Sequence, residues 1–123
     1  MSVIETQLRA KVFQRFIDEN PIAVTLMRSA RVKTTAGGWS ELPPVAQAAQ
    51  TGRLIYSGNK GDNVERTLAD GSVLVITHRL VFMPGANVQR GDYFDHDGHR
   101  YRVGWVSSTP DWRVACEVGR SDA

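Results

Sequence analysis

One cysteine in 123 residues, Cys116, excludes an intramolecular disulfide. Long apolar runs are missing as well. A run such as residues 73–76, which none exceeds in length, falls far short of the roughly 20 residues that a bilayer-spanning helix needs, and the N-terminal residues show no signal-peptide apolar core. No membrane partner is expected. Charge of one sign never accumulates: fifteen Lys and Arg are scattered among thirteen Asp and Glu for a formal net charge of +2, so bulk charge argues for no particular partner. The chain carries no Walker loop, no dinucleotide fingerprint and no zinc-ligand spacing. His78 lies in an apolar stretch without a nucleophile or triad motif around it, and reads as a hydrogen-bonded wall residue. The expectation is a non-enzyme without a cofactor.

Hydrophobic residues make up 41% and charged residues 23%, the balance of a single soluble globular domain long enough for one real core. Cys116 sits in the alternating run 112–118 and reads as a small, buried, inert strand side chain, compatible with synthesis in the cytoplasm.

Residues 4–19 read as the one helix. Ile4, Leu8, Val12 and Phe16 recur at four-residue spacing, Phe13 and Ile17 widen the stripe, and Arg9, Lys11, Gln14 and Arg15 take the other side. Asn20-Pro21 stops it, because proline lacks an N–H and pushes its predecessor out of the α region. The stripe either packs on its own domain or docks on a neighbouring subunit.

After Pro21 the apolar period falls from four to two. Ile22, Val24 and Leu26 open one long strand or two with a bend. Residues 36–39 read as a glycine turn into a short strand. Leu42-Pro43-Pro44 is extended and unable to serve as an interior strand, residues 45–50 read as a connector, and residues 53–57 as a strand. Residues 58–71, GNKGDNVERTLADG, have only Val64 and Leu68 as sizeable apolar residues and read as a long polar loop. Such loops are uncommon in compact domains unless functional, which makes Lys60, Asp62, Glu65 and Arg66 candidates for partner contact. Residues 72–83 read as a bent central strand or a strand pair, and residues 112–118 as a final strand before a frayed tail over 119–123.

The stretch 85–106, GANVQRGDYFDHDGHRYRVGWV, is the most telling. Asp97-Gly98 supplies the two positive-φ positions of a type I′ turn, with Phe94 on one arm and Tyr101, Val103 and Trp105 on a dry face of the other; Arg100 and Arg102 lie on the wet face. Asp92, Asp95, His96, Asp97 and His99 are the densest set of potential metal ligands, but strand alternation scatters them, and they read as exposed hairpin polarity rather than a metal site. Many short strands at close spacing predict a mainly β fold: a small barrel or sandwich (21–118) with an appended N-terminal helix (1–20).

Three segments resemble phage head-closure proteins, the stoppers of the neck. RVKTTAGGW (31–39) resembles their opening hairpin, ANVQRGDYF (86–94) their approach to a Gly-Asp turn, and DGHRYRV (97–103) their hairpin with the following Tyr-x-Val; the strand at 113–118 matches in position. The resemblance spans most of residues 22–118, and the N-terminal helix departs from it. It implies a virion protein, assembled in the host cytoplasm, that forms a homo-oligomeric ring between the portal-adaptor complex and the tail proteins and helps retain packaged DNA. The 58–71 loop then occupies a plausible position near the channel, and Ile4, Leu8, Val12 and Phe16 a plausible subunit contact. A tail terminator or other neck component is the alternative, then a nucleic-acid-binding barrel of the OB or SH3-like kind.

Overall fold

Proline ends the first element where expected. In the computed structural model, which describes residues 3–57, 64–68, 71–109 and 112–121, helix α1 (Val3–Asp18) closes just before Asn20-Pro21. Its last turn tightens through the Asn20 N–H, which donates to the Ile17 carbonyl at 3.1 Å.

Among the described residues ten strands follow: β1 (Ile22–Val24), β2 (Met27–Lys33), β3 (Trp39–Ala46), β4 (Gln50–Tyr56), β5 (Glu65–Thr67), β6 (Val73–Val75), β7 (His78–Phe82), β8 (Tyr93–His96), β9 (His99–Ser107) and β10 (Val114–Arg120). About half of the described residues are in strands and 14% in helix, so the fold is mainly β. Eight strands form one sheet in the order β1-β4-β7-β10-β9-β8-β2-β3, and β5 pairs with β6 in a separate two-stranded sheet. The large sheet curls into a half-barrel. Its hollow side holds the main core: Val24, Leu26, Leu80, Phe82, Phe94, Tyr101, Val103, Val114, Cys116 and Val118. These residues alternate along their strands, and period-2 burial of this kind pins the register of each pairing.

The sequence allowed one long strand or two after Pro21, and the chain breaks at Thr25-Leu26 into β1 and β2. These serve opposite ends of the sheet: β1 pairs with β4, whereas β2 reaches β8 at the single register position Met27↔Tyr93 before running out with β3 as a two-stranded ribbon. Pro43 and Pro44 lie in β3, the edge strand, where missing donors cost no ladder bonds. The turn is a two-residue hairpin, with Asp97 at φ 53°, Gly98 at φ 80° and His96 opposite His99. Both positive φ values are those a type I′ turn demands.

Four expectations are corrected. Trp105 is not on the dry face but 46% exposed. Glu117 faces Trp105 while Val118 faces Val103, so Gly104 is an extra residue, a β-bulge that reverses the alternation and returns Val106 rather than Trp105 to the core. Residues 58–71 are not one polar loop, because Glu65–Thr67 form β5 against β6 and Leu68 is buried. The signal was weak because β5 is three residues long and its partner looked like part of a central strand. The tail starts later than 119: Gly119 and Arg120 pair with Arg102 and Tyr101 in β10. Trp112 precedes that strand and packs edge-on against Phe13 at 5.3 Å.

Candidate functional site

Two elements lie on the outer, convex side of the half-barrel, and the candidate residues that the structure describes, Ile4, Leu8, Val12, Phe16, Glu65 and Arg66, fall on them. The first is α1. Phe13 and Ile17 bury against Val81 of β7, with Phe16, Ile55, Met83, Trp112 and Ala115 closing around them. Full burial of side chains of this size stabilises by about 1.5–3 kcal/mol each. Arg53 of β4 ties down the C-terminal end: its Nη1 donates to the Phe16 carbonyl at 2.8 Å and its guanidinium stacks on the Phe16 ring at 4.1 Å. A cation is favoured there by the helix dipole as well as by the orphan carbonyl.

The predicted stripe is therefore divided. Phe16 joins the internal cluster, whereas Ile4, Leu8 and Val12 are 70%, 58% and 67% exposed. Between this exposed edge and the strands beneath lies an open cleft of about 550 Å³. Its floor is Phe13, Phe16, Ile55, Val81 and Trp112, and Arg9, Arg79 and Arg113 supply its charged side chains. No carboxylate lines it among the described residues. Trp112 Nε1–H and Arg113 Nε–H are buried without an acceptor among the described residues.

The second element is the β5–β6 hairpin, which crosses β9 and β10. Gly104 and Gly119 make room for it: a Cβ on Gly104 would press on Ile76 at 3.0 Å and Leu74 at 3.2 Å, and one on Gly119 would overlap the Val75 carbonyl. Glycine is required at Gly119, where a side chain would run into hairpin backbone, and at Gly104 a side chain would press on Ile76 and Leu74. Arg66 locks it with a two-pronged ion pair to Glu117, at 2.7 and 3.0 Å, and stacks over the Trp105 ring at 5.2 Å. The hydrogen bonds to Glu117 raise the Arg66 guanidinium above its ordinary value. Glu65 lies on the exposed side, with Val73 and Val75 exposed across from it on β6. Lys60 and Asp62 fall outside the described residues. Of the four loop candidates, then, Arg66 is engaged internally and Glu65 is turned outward.

Asp92 is also corrected: it is not exposed hairpin polarity but 2% exposed. Its carboxylate accepts Arg28 Nε and Nη2 at 3.0 and 2.8 Å and the Gln89 N–H at 2.8 Å, clamping β2 to the approach of β8. The same contact raises the Arg28 guanidinium above its ordinary value, chiefly through the hydrogen bond. The sequence lacked a signal for this pair, since 64 residues separate the partners. Asp95 pairs with Arg100 at 2.9 Å, and His99 Nδ1 lies 2.6 Å from Arg120. Among the described residues, no group of three or more His, Cys, Asp or Glu side chains converges to hold a metal ion.

His78 lies between the rings of Tyr56 and Tyr101, at 5.2 and 5.1 Å, with its Nδ1 2.8 Å from the Thr77 hydroxyl. Burial, and secondarily the charge of Arg120, hold its imidazole below the ordinary value and so favour the neutral ring. Burial pushes the Cys116 thiol up to about 12, which leaves it unreactive at neutral pH. On the wet face of β9, Arg100 and Arg102 stack on Tyr93 at 4.7 and 5.9 Å. No described helix is long and apolar enough to cross a membrane. Neither any known family model nor any curated protein matches the chain.

Proposed function

We propose that this chain is a structural subunit of a phage neck, a head-closure (stopper) protein whose copies form a ring between the portal-adaptor complex and the tail and help hold packaged DNA. It acts by assembly, not by catalysis, and works in the virion after assembly in the host cytoplasm. The observation that carries this reading is the division of α1: Phe13 and Ile17 anchor the helix, while Ile4, Leu8 and Val12 are held outward. An apolar edge presented on an anchored helix is a surface for a protein neighbour. The half-barrel itself is compatible with the resemblance of residues 31–39, 86–94 and 97–103 to stoppers.

Immunogold electron microscopy of particles, with an antibody raised against the chain, tests the role. Label at the head-tail junction of whole particles and on tailless filled heads is expected. Label on detached tails but not on filled heads would make the chain a tail terminator, and unlabelled particles would remove it from the neck altogether. A second reading, a nucleic-acid-binding barrel, draws on Arg100 and Arg102 stacked over Tyr93. Oligonucleotide affinity that falls steeply with salt would favour that reading instead.

A further inference from the structure

The two convex-side elements are complementary to each other. The cleft beside α1 combines an apolar floor with Arg9, Arg79 and Arg113, and no carboxylate lines it among the described residues. The carboxylate nearest in register to Arg79 is Glu117, which faces it across β7 and β10, and Glu117 is already held in two-pronged fashion by Arg66. Trp112 and Arg113 each bring a buried N–H that lacks an acceptor among the described residues. The cleft therefore calls for an occupant with aliphatic side chains and at least one acceptor or anion.

The outer side of the β5–β6 hairpin has that chemistry. Val73 and Val75 are 58% and 42% exposed, Val64 is 44% exposed, and Glu65 stands opposite Val75. Inward-facing Leu74 and Arg66 are spent on the sheet below, so the outward set is free for a partner. Nucleic acid suits the cleft less well: Arg113 lies over a face of Trp112 at 5.0 Å and Phe13 packs against it in a T-shaped contact, so a base would have to displace one of them or use what remains of the ring.

From these two surfaces we infer that the α1 cleft of one subunit receives the β5–β6 hairpin of a second copy, with Val73 and Val75 over the apolar floor and Glu65 among Arg9, Arg79 and Arg113. The contact is heterologous, because the two patches differ. It therefore repeats from copy to copy and closes into a ring if the rotation permits. Helix and hairpin occupy separate stretches of one face of the sheet, the helix over Ile55, Val81 and Ala115 and the hairpin over Gly104, Glu117 and Gly119, so the two patches are distinct surfaces. This inference rests on the ring reading above and specifies which surfaces meet.

The test uses two full-length variants, Val12→Cys and Val75→Cys, mixed at concentrations where the unsubstituted chain self-associates and treated with a short bis-maleimide. Both positions are exposed, and Cys116 is fully buried, so the reagent reads only the new thiols. Cross-links joining Val12→Cys of one chain to Val75→Cys of another, in excess over like-with-like pairs, are expected. Glu65→Arg is expected to weaken self-association at least tenfold. Predominant Val12→Cys to Val12→Cys pairs would overturn the inference in favour of helix-to-helix contact. Rings present by electron microscopy without the mixed cross-link would overturn it and leave the neck role standing. A chain that stays monomeric, in solution and in labelled particles alike, would overturn both.

Discussion

Helix α1 and the β5–β6 hairpin cover the same convex side of one sheet, and they are attached by opposite means. The hairpin is keyed in: two glycines clear its path, Leu74 fills the space they leave, and Arg66 closes on Glu117. The helix is fastened along half its width, by Phe13, Ile17 and the Arg53 cap, and its other half remains apolar and exposed. Attachment by close backbone approach tolerates no added atoms. Attachment by a side-chain stripe can be thinned one residue at a time, and it can leave residues over for a partner.

The largest effect is expected where the key is blocked. Gly119→Val puts branched carbon atoms into the Val75 carbonyl and the Leu74 side chain, and should cost about 3 kcal/mol, the upper part of the range for overpacking. A denaturant midpoint within error of the unsubstituted chain would show that the hairpin is not keyed by this glycine. Next comes the helix anchor. Ile17→Ala removes a fully buried side chain, so a loss of about 2 kcal/mol, the lower end of the range for such truncations, is expected in the same measurement. If that loss instead fell to a few tenths of a kcal/mol, the helix would be an ornament on a self-sufficient sheet.

A smaller effect is expected at the join between hairpin and barrel. His78 begins β7 just after β6 ends, and its folded-state pKa lies below the ordinary 6.5. The unfolded chain therefore binds the proton more readily, so stability is full above about pH 6.5 and declines as pH falls through that value toward the lower folded-state pKa. Thermal midpoints between pH 8 and pH 5 should drop on the acid side, and His78→Gln should flatten the part of that slope that His78 contributes. A slope unchanged by the substitution would assign the acid sensitivity to other groups. The smallest effect on stability is expected on the helix's outer edge. Leu8→Ser and Val12→Ser should shift unfolding by no more than about 0.5 kcal/mol, as for ordinary surface changes, while reducing self-association measured by light scattering. A large stability loss with association intact would erase the distinction between the two halves of the helix.

Several elements were legible in advance because their causes are local. The change of apolar period at Pro21 and the Asp97-Gly98 turn both follow from backbone sterics within a few residues. The candidate residues were read less evenly. Ile4, Leu8 and Val12 shared one stripe with Phe16, but their spacing alone could not say that Phe13 and Ile17 would claim the inward direction. Arg66 looked like a loop cation and serves as the hairpin's lock. Gly104 and Gly119, each inside a strand pattern, are the local signal for a bulge and a close approach.

The sequence by itself determined the mainly β fold, the helix and its end, the edge position of Pro43-Pro44 and the type I′ turn, because each depends on torsional preferences and on side-chain periodicity along the chain. Tertiary structure alone decided that Trp105 faces out, that Asp92 meets Arg28 and that the helix keeps an apolar edge uncovered. Those outcomes depend on which distant backbone lies alongside, on one inserted residue that reverses the alternation of a strand, and on how much of the stripe the sheet beneath is wide enough to cover.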